Sequence, residues 1–188
     1  VVHQELSLVP EMSVAENLLL GREPTRFGLV DAAAMELAAR KMLAPVFGAE
    51  MIDLHMPISR LGIGVQQMLE IAKALAEHAR VIVLDEPTAA LTEAEADRLF
   101  ALVRERRAAG TSFIYISHRL GEIQALSDRI AVMRDGQLVG LSETATTTEQ
   151  EIVKLMTGDD TALDRAKGRR VRARGTGSMS VLSVEHLT

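Results

Sequence analysis

The chain has 188 residues, of which 47% are hydrophobic and 25% are charged, so a domain with a substantial core is expected rather than disorder. Asp and Glu (26) outnumber Lys and Arg (21), and the net charge of −5 argues against general nucleic-acid binding. The lack of cysteine excludes disulfides and thiolate metal sites, and it fits a reducing compartment. No window approaches the roughly 20 apolar residues of a membrane span, so we expect any membrane role to be exerted through a partner.

The first third of the chain is predicted to be mainly helical, after residues 1–4, which have the pattern of a strand end. Apolar residues recur at helical spacing over residues 11–20, and Ser13 is a good N-cap for them. Asp31 then precedes a stretch rich in Ala, Leu and Met that extends to about Phe47. A further helix is predicted up to Leu75, after a Gly-containing segment.

The middle of the chain predicts an α/β fold. Residues 81–84 form a wholly apolar run that ends in charge, which is typical of a strand buried on both faces of a parallel sheet, and residues 113–116 repeat the pattern. Between them a helical pattern begins after Thr92 and ends at Gly110. This order of strand, helix and strand indicates a βαβ unit. Residues 129–139 predict a hairpin that turns at an Asp-Gly pair.

The composition changes after Gly158. Residues 161–178 contain a cluster of basic side chains among Gly and Ala: Arg165, Lys167, Arg169, Arg170, Arg172 and Arg174. They predict a flexible linker, with contact to lipid headgroups or to an acidic neighbour as the alternative. Residues 179–188 suggest the first strand of a further domain. Because the chain begins with Val1 and ends without a helix stop, we expect it to be part of a longer protein.

Two adjacent carboxylates, Asp85 and Glu86, follow the first apolar run, where α/β proteins place ligand sites. Adjacent strand residues point in different directions, so Asp85 can hold Mg²⁺ through its water shell while Glu86 faces a water aligned on a terminal phosphate. For two acids alone, a solvated strand end is the more common explanation.

Further elements accompany this acidic pair. The segment from Leu61 to Val65 precedes a helix, so its N–H groups and the helix dipole favour an anion, although an ordinary helix after a Gly turn has the same pattern. His118 follows the second apolar run and can reach a phosphate, whereas a lone histidine there is usually structural. The amide of Gln4 can reach the metal or the attacking water. The segment Ala90-Leu91-Thr92 forms the turn before the next helix.

Together, the segments HQELSLVPEMSVAENLLLGRE, QQMLEIAKAL, DEPTAAL and ISHRL resemble the ATP-binding cassette family over residues 1–158. They are most similar to the first cassette of tandem-cassette monosaccharide importer ATPases. The resemblance implies an α/β, P-loop NTPase-like nucleotide-binding domain, present in part, over residues 1–160. Residues 13–60 would form its helical subdomain, and residues 179–188 the opening strand of a second cassette.

The resemblance also implies residue roles. The catalytic residues would be Glu86, as the catalytic glutamate, and His118, as the switch histidine. The metal would be bound by Asp85 and by the loop glutamine Gln4. The nucleotide-binding set comprises Gln4, the signature motif and the loop that communicates across the dimer, that is Leu61, Gly62, Ile63, Gly64, Val65, Ala90, Leu91 and Thr92.

The sequence departs from the family pattern at two places. It contains no G-x-x-x-x-G-K-[ST], the loop that grips the β and γ phosphates, so we expect residues 1–188 alone to show no ATP turnover. In the signature motif, Gly62 occupies a position that is usually Ser, and Val65 one that is usually polar.

The resemblance therefore implies an ATP- and Mg²⁺-dependent ATPase of an ABC importer, most similar to those for monosaccharides, at the cytoplasmic face of the inner membrane. Its expected partners are transmembrane permease subunits, a second cassette of the same chain or of a dimer partner and, indirectly, a periplasmic substrate-binding protein, with no nucleic acid. The alternative is a regulatory, weakly hydrolysing cassette with a degenerate signature. A soluble cassette protein that acts on ribosomes or DNA is disfavoured by the acidic balance.

Overall fold

The computed structural model describes Val2 and residues 7–48, 52–77 and 79–158. The predictions for Gln4, for the linker at 161–178 and for the strand at 179–188 lie outside these residues. The chain divides into two compact units, one of Val1–Ala79 with Pro87–Leu102 and the other of Arg80–Glu86 with Val103–Thr188.

The first unit is mainly helical, as the sequence predicts. In chain order it contains α1 (Val14–Leu19), β1 (Thr25–Arg26), β2 (Leu29–Val30), α2 (Ala32–Phe47), a 3₁₀ turn (Ile58–Arg60) and α3 (Ile63–Ala76). It also holds the beginning of α4 (Glu93–Ala108). The antiparallel pair β1–β2 was not predicted, because each strand has two residues and all four are exposed, which leaves no alternating pattern to detect.

Short sequence signals determine where α1 and α2 begin. The Ser13 hydroxyl accepts the Glu16 N–H at 3.3 Å, and the Glu16 carboxylate accepts the Ser13 N–H at 2.7 Å, which completes a capping box. Hydrogen bonds from the Ser13 hydroxyl and N–H also hold the pKa of the Glu16 carboxyl below its ordinary value. Asp31 caps α2 by accepting the Ala34 N–H at 3.0 Å. Both predicted caps are confirmed, although α1 is shorter than the predicted range 11–20.

The second unit contains the strands of the predicted βαβ unit. In chain order it comprises β3 (Val81–Asp85), the end of α4, β4 (Ser112–Ile116), α5 (Leu120–Leu126), β5 (Arg129–Arg134), β6 (Gln137–Glu143) and α6 (Glu149–Thr157). Strands β3 and β4 pair in parallel, with Val81 opposite Ser112 and Asp85 opposite Ile116. This pairing confirms the prediction of parallel strands joined through a helix.

Burial of β3 on both faces, however, is a wrong prediction. Ile82 and Leu84 are buried, whereas Val81 is 54% exposed and Val83 is half-buried. Successive side chains of a strand point to opposite faces, so one face of β3 is covered and the other is covered only in part. An unbroken apolar run alone does not distinguish the two cases.

The antiparallel hairpin β5–β6 turns at Asp135 and Gly136, as predicted, and both residues have positive φ (51° and 73°). Helix α6 packs on this hairpin through a buried apolar cluster of Ile123, Ile130, Val132, Ile152 and Leu155. Gly140 of β6 lies directly beneath α6, since a Cβ added there would lie 2.6 Å from Leu155 Cδ1.

We therefore expect Gly140→Ala to destabilise the protein. The added methyl group overpacks a filled contact, which costs about 1–3 kcal/mol in free energy of unfolding, measured by urea denaturation. The matched control is Gly121→Ala in α5, where a Cβ meets nothing within 4 Å. Because alanine favours a helix over glycine by about 0.5–1 kcal/mol, that variant should be as stable as the parent or more stable.

Partial recovery in the double variant Gly140→Ala with Leu155→Val would assign the loss to this contact. Equal unfolding free energies for Gly140→Ala and Gly121→Ala would contradict the packing described.

Candidate functional site

Glu86 lies directly after β3 in a backbone conformation that few non-glycine residues adopt, with φ at 43°. Its N–H donates to Ile116 O at 2.9 Å, so β3 remains bonded to β4 one residue beyond its last strand residue. Holding a residue at positive φ costs on the order of 1–3 kcal/mol, and such residues cluster at functional sites. The positive φ of Glu86 therefore marks a candidate functional residue at the point where the chain leaves β3.

The carboxylate of Glu86 contacts the imidazole of His118, with Oε1 3.0 Å from Nδ1. His118 lies two residues beyond the end of β4. Parallel strands in register end at the same edge of a sheet, and this brings together two residues that are 32 positions apart in the chain. The Glu86 side chain is 30% exposed and that of His118 is 64% exposed, so both can be reached from solvent.

Asp85 is the last residue of β3 and is half-buried. Within the part of the chain that the structure describes, no group of three or more His, Cys, Asp or Glu side chains comes together to form a metal site. Mg²⁺ is commonly bound by one or two carboxylates together with water and substrate phosphates, and Asp85 fits that mode.

The glycine-containing segment is shorter as a loop than the sequence suggests. Gly62 is the N-cap of α3 and offers no side-chain cap, so Ile63, Gly64 and Val65 already belong to the first helical turn. The side chain of Gln66 holds the preceding turn by donating to Ile58 O at 3.2 Å and to Leu61 O at 2.9 Å. Gln66 directly follows the motif and is not among the site residues that the sequence predicts.

The same unit brings Gly64 against the turn that contains Ala90. A Cβ added to Gly64 would lie 2.9 Å from Ala90 O and 3.1 Å from Glu95 Oε2. Thr92 is the cap of α4, because its N–H donates to Glu95 Oε2 at 2.8 Å and its hydroxyl accepts the Glu95 N–H at 3.4 Å. Leu91 closes the turn by donating to Thr88 O at 3.1 Å.

The structure thus forms two clusters from the predicted site residues. One unit holds Asp85, Glu86 and His118, and the other joins the segment at 61–65 to the turn at 90–92. Glu95 is not among the predicted site residues, although the pattern Thr-x-x-Glu indicates a capping role for it.

Comparison with known proteins gives this geometry a context. The family model described as ABC transporter matches residues 1–89. The chain is 54% identical over 158 residues to a ribose import ATP-binding protein of Chromobacterium violaceum, a match that covers 84% of this chain and 31% of that protein. It is 48% identical over 158 residues to a xylose import ATP-binding protein of Yersinia pseudotuberculosis, with the same coverage.

A third relative is similar along the full chain. It is a ribose import ATP-binding protein of Streptomyces avermitilis, 45% identical over 187 residues, with 100% of this chain and 34% of that protein covered. The chain therefore spans about a third of the length of the curated relatives it matches.

Solved structures share the fold. A dimeric ATP-binding cassette bound to ADP and Pi, 22% identical, matches 76% of this chain and 61% of its own, with a TM-score of 0.65. The ADP conformation of a cassette of an ABC transporter, 26% identical, matches 89% of this chain and 67% of its own, with a TM-score of 0.60. From its sequence relatives and its fold, this chain belongs to the ABC transporter family and has the P-loop NTPase fold of an ATP-binding cassette.

Proposed function

We propose that the chain is the ATP-binding and ATP-hydrolysing part of an ABC importer for a monosaccharide. The observation that carries this proposal is the contact between Glu86 and His118 at the ends of two parallel strands. The names of the relatives, which are ribose and xylose import ATP-binding proteins, support the solute class.

We assign a separate role in ATP hydrolysis to each of three residues of the second unit. MgATP, when bound, supplies the terminal phosphate, and the metal offsets the charge on its oxygens. Asp85 would hold the metal through its water shell, a mode that suits a single half-buried carboxylate. Glu86 orients and deprotonates the attacking water. His118 contacts the Glu86 carboxylate through Nδ1 at 3.0 Å, and its other ring nitrogen can reach a phosphate oxygen.

The first unit would serve the nucleotide of a partner cassette. Leu61 to Val65 present the beginning of α3, whose N–H groups and dipole favour a phosphate. Ala90 to Thr92 would communicate across the dimer, and the close approach of Gly64 to Ala90 links the two segments within one chain. Gln4 is proposed to bind nucleotide and metal at the same interface.

We further propose the organisation that the sequence predicts, with a helical subdomain over residues 13–60 that docks on transmembrane permease subunits and a basic linker that leads to a second cassette. A periplasmic substrate-binding protein would act indirectly. In the described part of the chain no helix has the length and apolarity to cross a bilayer. We propose that the chain is attached at the cytoplasmic face of the inner membrane through the permease subunits.

The experiment that tests this function replaces the proposed base. In a polypeptide that carries these residues together with a phosphate-binding loop and a partner cassette, Glu86→Gln should retain ATP binding and lower turnover by about 10²- to 10⁴-fold. The amide keeps the shape of the side chain but cannot accept the proton. Nucleotide affinity and steady-state phosphate release are the measurements.

The variant Asp85→Asn tests the proposed role of Asp85 in metal binding separately from that of Glu86. It should shift the Mg²⁺ titration of turnover to higher concentration, because an amide oxygen binds a hard cation less strongly than a carboxylate. Parental turnover in Glu86→Gln would remove Glu86 from the proposed role, and an unchanged Mg²⁺ titration would remove Asp85.

The two glycines of the signature motif give a matched pair. At Gly62 an added Cβ meets nothing within 4 Å and φ is −61°, so Gly62→Ser is sterically allowed. Its hydroxyl can cap α3 and can donate to a phosphate of the partner cassette. Such a charged hydrogen bond is worth about 1.5–3 kcal/mol. Hydrolysis at the composite site, which this signature motif would form with the phosphate-binding loop of the partner cassette, should therefore increase roughly tenfold or more.

Gly64→Ala should act in the opposite direction, because its Cβ would lie 2.9 Å from the backbone oxygen of Ala90. We expect lower turnover and a lower melting temperature. Turnover is measured with the other composite site silenced. Equal rates for Gly62→Ser and the parent would mean that the N–H groups of α3 already bind the phosphate sufficiently, and low rates in both would favour a regulatory, weakly hydrolysing cassette.

A further inference from the structure

A buried carboxylate lies beneath the turn that carries His118. Glu122, in α5, is 7% exposed. Its Oε2 accepts the Tyr115 hydroxyl at 2.7 Å and the Ser117 hydroxyl at 3.0 Å, and its Oε1 pairs with Arg119 Nη1 at 2.8 Å. Three donors from β4 and the following turn therefore converge on one carboxylate.

A second contact closes the turn itself. The hydroxyl of Ser117, which is 2% exposed, also accepts the backbone N–H of Arg119 at 3.0 Å. The residues on both sides of His118 are thus bonded to each other and to Glu122. A hydroxyl that donates to one partner and accepts from another fixes the backbone as well as its own side chain.

Burying a carboxylate is costly unless it is paired and hydrogen-bonded. The neighbouring α5 residues Ile123 and Leu126 are buried and apolar, so an apolar residue at position 122 would satisfy packing alone. A carboxylate adds hydrogen bonds of defined direction to Ser117 and Arg119, which hold the turn in place.

We propose that Glu122 is a positioning residue for His118. It holds the turn of Ser117, His118 and Arg119 so that Nδ1 of His118 stays within hydrogen-bond distance of Glu86. This inference rests on the proposed function, in which Glu86 and His118 take part in ATP hydrolysis. A misplacement of about 1 Å at a reacting group lowers rates by about 10²-fold, and a carboxylate that fixes the turn prevents such a displacement.

The principal variant is Glu122→Gln in the same complete polypeptide. A glutamine side chain has one acceptor oxygen and one donor NH₂, so either the hydroxyls of Tyr115 and Ser117 or the guanidinium of Arg119 must face a donor. We expect kcat to fall about 10- to 100-fold while KM for ATP changes little. Glu143→Gln is the control, because Glu143 is also paired with an arginine, Arg129, but is 61% exposed in β6.

A double-variant cycle separates positioning from general stability. In a His118→Ala background, Glu122→Gln should lower kcat by less than about twofold further, because the residue through which it acts is gone. Additive losses would overturn the proposal. If Glu86→Gln stalls turnover while Glu122→Gln retains the parental rate, only the positioning role fails; if Glu86→Gln also retains it, the proposed function fails.

Two further measurements keep the test decisive if Glu122→Gln folds poorly or the parent does not turn over. Ser117→Ala should lower kcat as Glu122→Gln does, whereas Ser117→Thr, which keeps the hydroxyl, should restore it. Amide hydrogen exchange at Arg119 requires no turnover and should be faster in Glu122→Gln, or in Ser117→Ala, than in Glu143→Gln. Equal exchange in these variants would overturn the inference.

Discussion

The parallel pairing of β3 with β4 is the constraint on which the candidate catalytic centre depends. It extends one residue past β3 through the hydrogen bond from the Glu86 N–H to Ile116 O. Glu86 itself has a positive φ of 43°, at the point where the chain leaves the strand. Its carboxylate then contacts a histidine that enters the site from the neighbouring strand. Backbone register, not side-chain attraction alone, therefore sets this geometry.

A different constraint governs the first unit, where main chain approaches main chain. A Cβ at Gly64 would lie 2.9 Å from the carbonyl oxygen of Ala90, so a side chain there would require the backbone to move. Gly62, two residues earlier, faces open space. The two glycines thus differ in their structural role. Gly64 is required by packing within the chain, whereas Gly62 leaves the N-cap of α3 without a side chain. Of the two signature-motif departures from the family pattern, the one at Gly62 falls where an added Cβ meets no neighbouring atom.

Local signals made much of the fold predictable. The caps Ser13 and Asp31 and the turn at Asp135 and Gly136 act within a few residues, so the sequence alone identifies them. The burial of β3 was predicted wrongly, because an apolar run carries no information on what covers each face. The proximity of Asp85, Glu86 and His118 follows from strand order. The network at Glu122 does not, because it depends on the rotation of α5 relative to β4, which no periodicity in a seven-residue helix specifies.

Three helices of the described chain begin with the same device, a hydroxyl residue followed three positions later by glutamate: Ser13 with Glu16, Thr92 with Glu95, and Thr148 with Glu151. Each device closes within four residues, so the entropy lost in forming it does not include the closure of a long loop. The start of each of these helices can therefore be set before distant segments meet. The parallel strand pair, whose register spans 31 positions from Val81 to Ser112, must instead wait for a long closure. Folding would then begin with helices whose first residues are already fixed by their caps. The contact between Glu86 and His118, which needs the paired strands, would be among the last contacts to form.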